Sequence, residues 1–210
     1  MLATDRIVAA PKRLQWQTAE VCEVIAETPR VKSLVLHVTD WPGHLPGQHV
    51  DVRLTGEDGY QAQRSYSIAS PPEAPNLMLS VERIDEGEVS PYLATEVRPG
   101  DQFELRGPIG GYFVWTVAVS GPLFLVAGGS GIAPLTAMLR HRAAVGNTSP
   151  AILLYSSRTF VVFPCARNTW RARGHLGARS WREAPPTHIK KRSSHSWCIA
   201  PSAKREMPVG

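Results

Sequence analysis

The sequence predicts an antiparallel β barrel or sandwich, then one parallel βαβ unit, then a basic tail. Three observations carry this expectation. Between Gln17 and Arg106, short alternations of apolar and polar residues are separated by turn residues. Beyond Gly121 the runs become continuously apolar and flank a glycine turn and a helical stretch. Beyond Arg158 both charge and aliphatic content change abruptly.

The elements follow in order. Val31 to Val38 places Leu34, Leu36 and Val38 on one face, and His49 to Leu54 sets Val50, Val52 and Leu54 against His49, Asp51 and Arg53. Each strand thus has one buried and one wet face. Ala62 to Ile68, Leu77 to Ile84 and Gln102 to Arg106 continue the series, with turns at Pro46-Gly47, Asp58-Gly59, Pro71-Pro72 and Pro99-Gly100. Strands this closely spaced fit a barrel or sandwich. Leu123 to Ala127, the turn Gly128 to Gly131, a helix from about Pro134 to Val145 and Ala151 to Tyr155 then form a βαβ unit. Parallel strands need neighbours and cover on both faces, so a unit this small predicts an unfinished second domain with open edges and faces.

The 210 residues carry a net charge of +5, and 43% of them are hydrophobic, which suits one or two compact domains and excludes wholesale disorder. The charge is uneven. Residues 1–158 hold 13 basic and 16 acidic residues, net −3, whereas residues 159–210 hold 10 basic and 2 acidic, net +8. With only eight Leu, Ile, Val and Phe in the last 52 residues, the tail is expected to lack a core of its own. No apolar run is long enough for a membrane-spanning helix, residues 1–13 lack a signal-peptide core, and Cys22, Cys165 and Cys198 make no disulfide framework. A soluble, cytoplasmic protein is the expectation.

The densest polar cluster is Arg64-Ser65-Tyr66-Ser67-Ile68-Ala69-Ser70 at a strand end, where alternation sends Arg64 and Tyr66 to one side. An arginine forks onto a pyrophosphate, a tyrosine ring packs on a planar cofactor, and a serine hydrogen-bonds a heteroatom. Downstream, Gly87-Glu88-Val89-Ser90-Pro91 reads as a helix start with Ser90 as N-cap and Pro91 at the first helical position, an anion site within reach of Arg64. In the βαβ unit, Gly128, Gly129 and Gly131 follow an apolar strand and let a phosphate approach the backbone. Pro134 stands where the usual dinucleotide fingerprint has its third glycine. The second strand ends in Ser156-Ser157-Arg158, where an acid serving the ribose hydroxyls is replaced by a cation suited to a 2′-phosphate, favouring NADPH over NADH.

From Gln15 to Thr159 the chain resembles the ferredoxin–NADP⁺ reductase superfamily. The likeness rests on Arg64-x-Tyr66-Ser67, the Gly87-x-x-Ser90 segment, Gly107-Pro108-Ile109-Gly110-Gly111-Tyr112-Phe113, and Gly128-Gly129-Ser130-Gly131-Ile132-Ala133-Pro134, in family order. The resemblance implies an antiparallel Greek-key flavin-binding barrel followed by an incomplete parallel α/β nucleotide-binding domain. It implies that Arg64, Gly87, Val89 and Ser90 hold the pyrophosphate of FAD (or FMN), that Tyr66 packs on the isoalloxazine, and that Ser67 hydrogen-bonds near its reactive N5. Tyr66 and Ser67 are thus the candidate catalytic residues. Gly128, Gly129, Ser130, Gly131, Ser157 and Arg158 would hold NADPH or NADH. Glu82 and Arg83 fall near the expected flavin, whereas His37, His44, His49 and His141 read as structural or surface residues. The implied activity is electron transfer between NAD(P)H and a separate electron-acceptor protein or small acceptor.

The likeness stops at Phe160. A Cys-Gly-Pro type motif is expected further on, yet Cys165 is followed by Ala166-Arg167 and Cys198 by Ile199-Ala200. The tail contains no Asp but three tryptophans, Trp170, Trp181 and Trp197, a composition that a shifted reading frame explains better than packing does. The expected division is a flexible N-terminus over residues 1–14, an FAD-binding barrel over 15–115, a partial NAD(P)-binding domain over 116–158, and a basic, disordered or frameshifted tail over 159–210. Cys165, His175, His188, His195 and Cys198 lack metal-ligand spacing, so no metal site is expected. Two other readings stand beside the reductase: a flavin-binding module without reductase activity, and a basic-tailed protein that binds nucleic acid or an anionic membrane. The reductase reading expects neither of those two partners.

Overall fold

The computed structural model describes residues 14–157 and the backbone of two short strands at 179–181 and 196–200. Six antiparallel strands come first: β1 (Gln17–Ala26), β2 (Val31–His37), β3 (His49–Thr55), β4 (Gln61–Ser67), β5 (Leu77–Glu82) and β6 (Gln102–Ile109). Their order across the sheet is β4-β3-β6-β1-β2-β5, so β6 returns between β1 and β3 as in a Greek key. The two edge strands curl toward each other and meet at one bridge, Ile68 to Leu79, which leaves a barrel that is not fully closed.

Alternation fills the interior. Val21, Leu34, Leu36, Val50, Val52, Leu79, Val81 and Leu105 are essentially inaccessible, and each such side chain contributes about 1.5–3 kcal/mol of burial. The short helix α1 (Val89–Thr95) supplies Val89, Leu93 and Ala94 to the same core.

The second unit contains β7 (Leu123–Gly128), a 3₁₀ turn (Gly129–Gly131), α2 (Ile132–Ala144) and β8 (Ala151–Ser157). β7 and β8 pair in parallel, and α2 starts two residues earlier than the sequence predicts because Pro134 sits within its first turn, where a missing N–H costs nothing. Ile132, Leu135, Met138 and Leu139 of α2 pack on Leu125, Ala127, Leu153 and Tyr155. Trp115 of the connecting segment and Val31 of the barrel join this second core, so the two units share an interface. The opposite face of β7 is not covered: Phe124 is 65% and Val126 58% exposed.

The edge of β8 that the sequence leaves open pairs with β10 (Ser196–Ala200), which in turn pairs with β9 (Arg179–Trp181). The expectation of a tail without its own core otherwise falls outside the described residues. No helix among the described residues is long and apolar enough to cross a membrane.

Candidate functional site

A cleft of about 520 Å³ opens between the seam of the barrel and the start of α2. Its walls are Arg64, Ser65, Tyr66 and Ser67 from β4, Ser80 and Glu82 from β5, Ile84 and Glu86 to Ser90 from the loop entering α1 and its first two residues, and Ser130, Gly131 and Ala133 from the second unit. Of the residues predicted from sequence, Arg64, Tyr66, Ser67, Gly87, Val89, Ser90, Ser130 and Gly131 are brought together here. Gly128, Gly129 and Ser157 lie outside the lining, and Arg158 falls outside the described residues.

Strand β4 ends at the cleft, so its side chains alternate between core and rim. Tyr66 is half-buried against the barrel core, and burial pushes its phenol up to about 12, partly opposed by the Arg64 guanidinium. It therefore stays protonated at any physiological pH and offers a ring face and an O–H. Arg64 is exposed, and its Nη1 donates to the Gln63 carbonyl at 2.6 Å. On the opposite side of β4, Ser65 Oγ donates to Asp51 Oδ1 at 2.6 Å, while Arg106 Nε and Nη2 donate to Asp51 Oδ2 at 3.0 and 2.9 Å. Burial alone would raise the Asp51 carboxyl, but the bonds from Ser65 and Arg106 outweigh it and hold it below the usual carboxylate range. The site strand is thus pinned to β3 and β6.

The loop before α1 differs from the sequence expectation. The helix starts at Val89 with Glu88 as N-cap, and Ser90 makes no capping bond; its Oγ instead accepts the Ile84 N–H at 3.1 Å. Gly87 N donates to the Ile84 carbonyl at 2.9 Å, and a Cβ at Gly87 would meet that oxygen at 3.1 Å and Ser90 Oγ at 3.2 Å. Position 87 is therefore close-packed against the turn that Ser90 holds. A seven-residue helix with a carboxylate at its cap makes a weaker anion site than the sequence implies, which leaves Arg64 and the loop amides to attract phosphate.

Sequence reasoning missed the acidic rim. Glu86 and Glu88 join Glu82 in the lining, and the Tyr60 hydroxyl donates to Glu88 Oε1 at 2.9 Å. The Glu88 contact spans 28 residues, so no local pattern announces it. Across the cleft, a Cβ at Gly131 would meet nothing within 4 Å, so this backbone faces open space. One cation, several hydroxyls, a ring and bare backbone suit a flavin nucleotide, with carboxylates placed to accept from sugar hydroxyls.

Comparison with known proteins agrees with this geometry. Residues 21–114 match the family model of the oxidoreductase FAD-binding domain. In fold, the chain is similar to the flavohem-like FAD/NAD-binding domain of nitric oxide dioxygenase from Vibrio cholerae, with a TM-score of 0.66 and 28% identity over 74% of this chain and 68% of that one. Residues 21–114 thus carry an oxidoreductase FAD-binding domain, and the chain more widely is similar to ferredoxin–NADP⁺ reductase-like proteins. In sequence, methane monooxygenase component C of Methylosinus trichosporium is 36% identical over 53% of this chain and 32% of its own length. The ferredoxin–NAD(P)⁺ reductase component of the Pseudomonas putida naphthalene 1,2-dioxygenase system is 28% identical over 74% of this chain and 45% of its own. The chain thus spans from about a third to under half of the length of these curated relatives.

Proposed function

We propose that the chain binds FAD in the cleft and serves as an oxidoreductase that moves electrons from NAD(P)H to a separate acceptor protein or small molecule. The observation that carries this reading is the convergence of Arg64, Tyr66 and Ser67 with Gly87–Ser90 and with Ser130–Gly131 in one cleft. Bound there, FAD would supply the chemistry of accepting a hydride and releasing electrons singly or in pairs. Arg64, with the amides of residues 87–90, would bind the pyrophosphate. Tyr66 would pack its ring on the flavin plane, its neutral O–H free of charge repulsion. The Ser67 hydroxyl would orient the flavin edge by a hydrogen bond near its reactive nitrogen. Gly128 to Gly131 would admit the dinucleotide phosphates, and Ser157 and Arg158 would select NADPH over NADH. We take residues 15–115 as the flavin domain, 116–158 as the nicotinamide-binding part, and the cytoplasm as the place of action.

Purified from an overproducing strain, the chain should be yellow and should oxidise NADPH with an artificial acceptor. A colourless protein that takes up no FAD on refolding would refute the reading. A second reading, a flavin-binding module without turnover, is favoured by the uncovered Phe124 and Val126 on β7, since an open sheet face leaves the dinucleotide side less firmly held. A yellow protein that fails to oxidise either dinucleotide would select it.

A further inference from the structure

Helix α2 touches the cleft at its first turn and the barrel at its last. Ala133 lines the cleft, whereas Arg140, about 10 Å further along the axis, donates from Nη1 to the carbonyl oxygen of Ala69 at 2.9 Å. The same Nη1 lies 3.2 Å from Met78 Sδ on β5. Next to it, His141 Nδ1 is 2.6 Å from Glu73 Oε1, and its ring packs edge-on against Trp115 with centroids 5.7 Å apart. Ala69 and Glu73 belong to the loop that leaves β4, and Ala69 is two residues beyond Ser67. That loop is itself held to β5, because Ala69 N donates to the Met78 carbonyl at 2.7 Å and Met78 N donates to Ser70 Oγ at 3.0 Å. Between the two ends of α2, Met138 packs over Gly47: a Cβ there would stand 2.8 Å from Met138 Cε and 2.0 Å from the Phe113 carbonyl oxygen.

We propose that Arg140 and His141 are positioning residues, which hold the 128–134 turn in register with the Arg64–Ser67 strand by bonding α2 to the 69–74 loop. The proposal rests on the flavin reading for its catalytic consequence and on geometry alone for its mechanical one. A rigid helix bonded at its far end cannot pivot at its near end without breaking the Ala69 contact, so the spacing between Ser67 and Ser130 is fixed by residues that touch neither the flavin nor the dinucleotide. Small misplacements of reacting groups cost rate far more than affinity.

The test uses the full chain, loaded with FAD, and compares Arg140→Gln, Arg140→Lys, His141→Gln and the Arg140→Gln/His141→Gln double variant with the parent. Amide hydrogen exchange at 128–134 should rise about five-fold or more in the double variant while β1 to β3 exchange as in the parent. Flavin reduction at saturating NADPH should fall about ten-fold with KM and FAD affinity within about two-fold, and Arg140→Lys should recover much of the rate. Unchanged exchange at the turn overturns the proposal, and so does a loss spread equally over the barrel strands. Should the double variant fail to fold, Glu73→Gln, at an exposed side chain, replaces it: faster exchange confined to the turn supports the latch, and unchanged or uniformly faster exchange overturns it. A parent chain that binds no FAD would refute the flavin reading, and the exchange measurement on the unloaded chain would still decide the latch.

Discussion

At the scale of single residues, the cleft depends on a few groups whose protonation and partners the fold dictates. Arg64 is the cation placed to meet a pyrophosphate, and it faces three cleft carboxylates, Glu82, Glu86 and Glu88. Arg64→Ala should weaken FAD binding by about ten-fold to a hundred-fold, the loss expected for a charge-assisted bond to phosphate, as read by fluorescence titration. His44 illustrates a different control. The Trp41 indole can only donate, at 3.4 Å to Nδ1, so that contact demands the neutral ring, whereas the Ser70 carbonyl, accepting at 3.1 Å from Nε2, is served by either form. Burial lowers the His44 pKa, and the neighbouring His141 acts in the same direction, while the Ser70 carbonyl and Glu73 oppose it. The unfolded chain then binds a proton that the folded one resists, so stability contributed by His44 is present above about pH 6.5 and lost as pH falls below it. Thermal melts from pH 7.5 to 5.5 should show a falling Tm, and His44→Gln should flatten the slope.

At the scale of elements, the strands and the βαβ unit were legible because each carries its own periodicity: Val50, Val52 and Leu54 alternate in β3, and Leu123 to Ala127 runs apolar into a glycine turn. The cluster Arg64, Tyr66 and Ser67 was legible for the same reason, being contiguous. The entry to α1 was not. A serine before a proline is an ordinary N-cap signal, but Ser90 is 6% exposed and its oxygen serves the Ile84 amide six residues back, a bond that closes the loop before the helix and does not cap it. The pairings of Tyr60 with Glu88, Ser65 with Asp51 and His141 with Glu73 were equally silent, because they join residues 14 to 68 positions apart. Ser90→Ala should strand the part-buried Ile84 N–H and cost about 1–3 kcal/mol, measurable as a lower urea midpoint with an unchanged slope.

At the scale of the whole molecule, the net charge of +5 averages two unlike parts, −3 over residues 1–158 and +8 over 159–210. The match to the FAD-binding domain model, residues 21–114, lies in the acidic part, so the overall basicity says nothing about what the cleft takes. We interpret the break at Phe160 as a shifted frame. Resequencing the gene should find that an alternative frame after codon 158 encodes further strands and a Cys-Gly-Pro motif; a gene with no such frame refutes this.

The single bridge between Ile68 and Leu79 gives the barrel a seam, with β4 on one side and β5 on the other. Arg64 to Ser67 and Ser80 with Glu82 line the cleft from those two sides, so whatever fills it spans the seam. A bound cofactor would act as a clasp on an otherwise lightly stitched cylinder. Apoprotein should open there first and the loaded chain should unfold more slowly in stopped-flow denaturation, so the ligand's residence time, not the sheet's own hydrogen bonds, would time the barrel's opening.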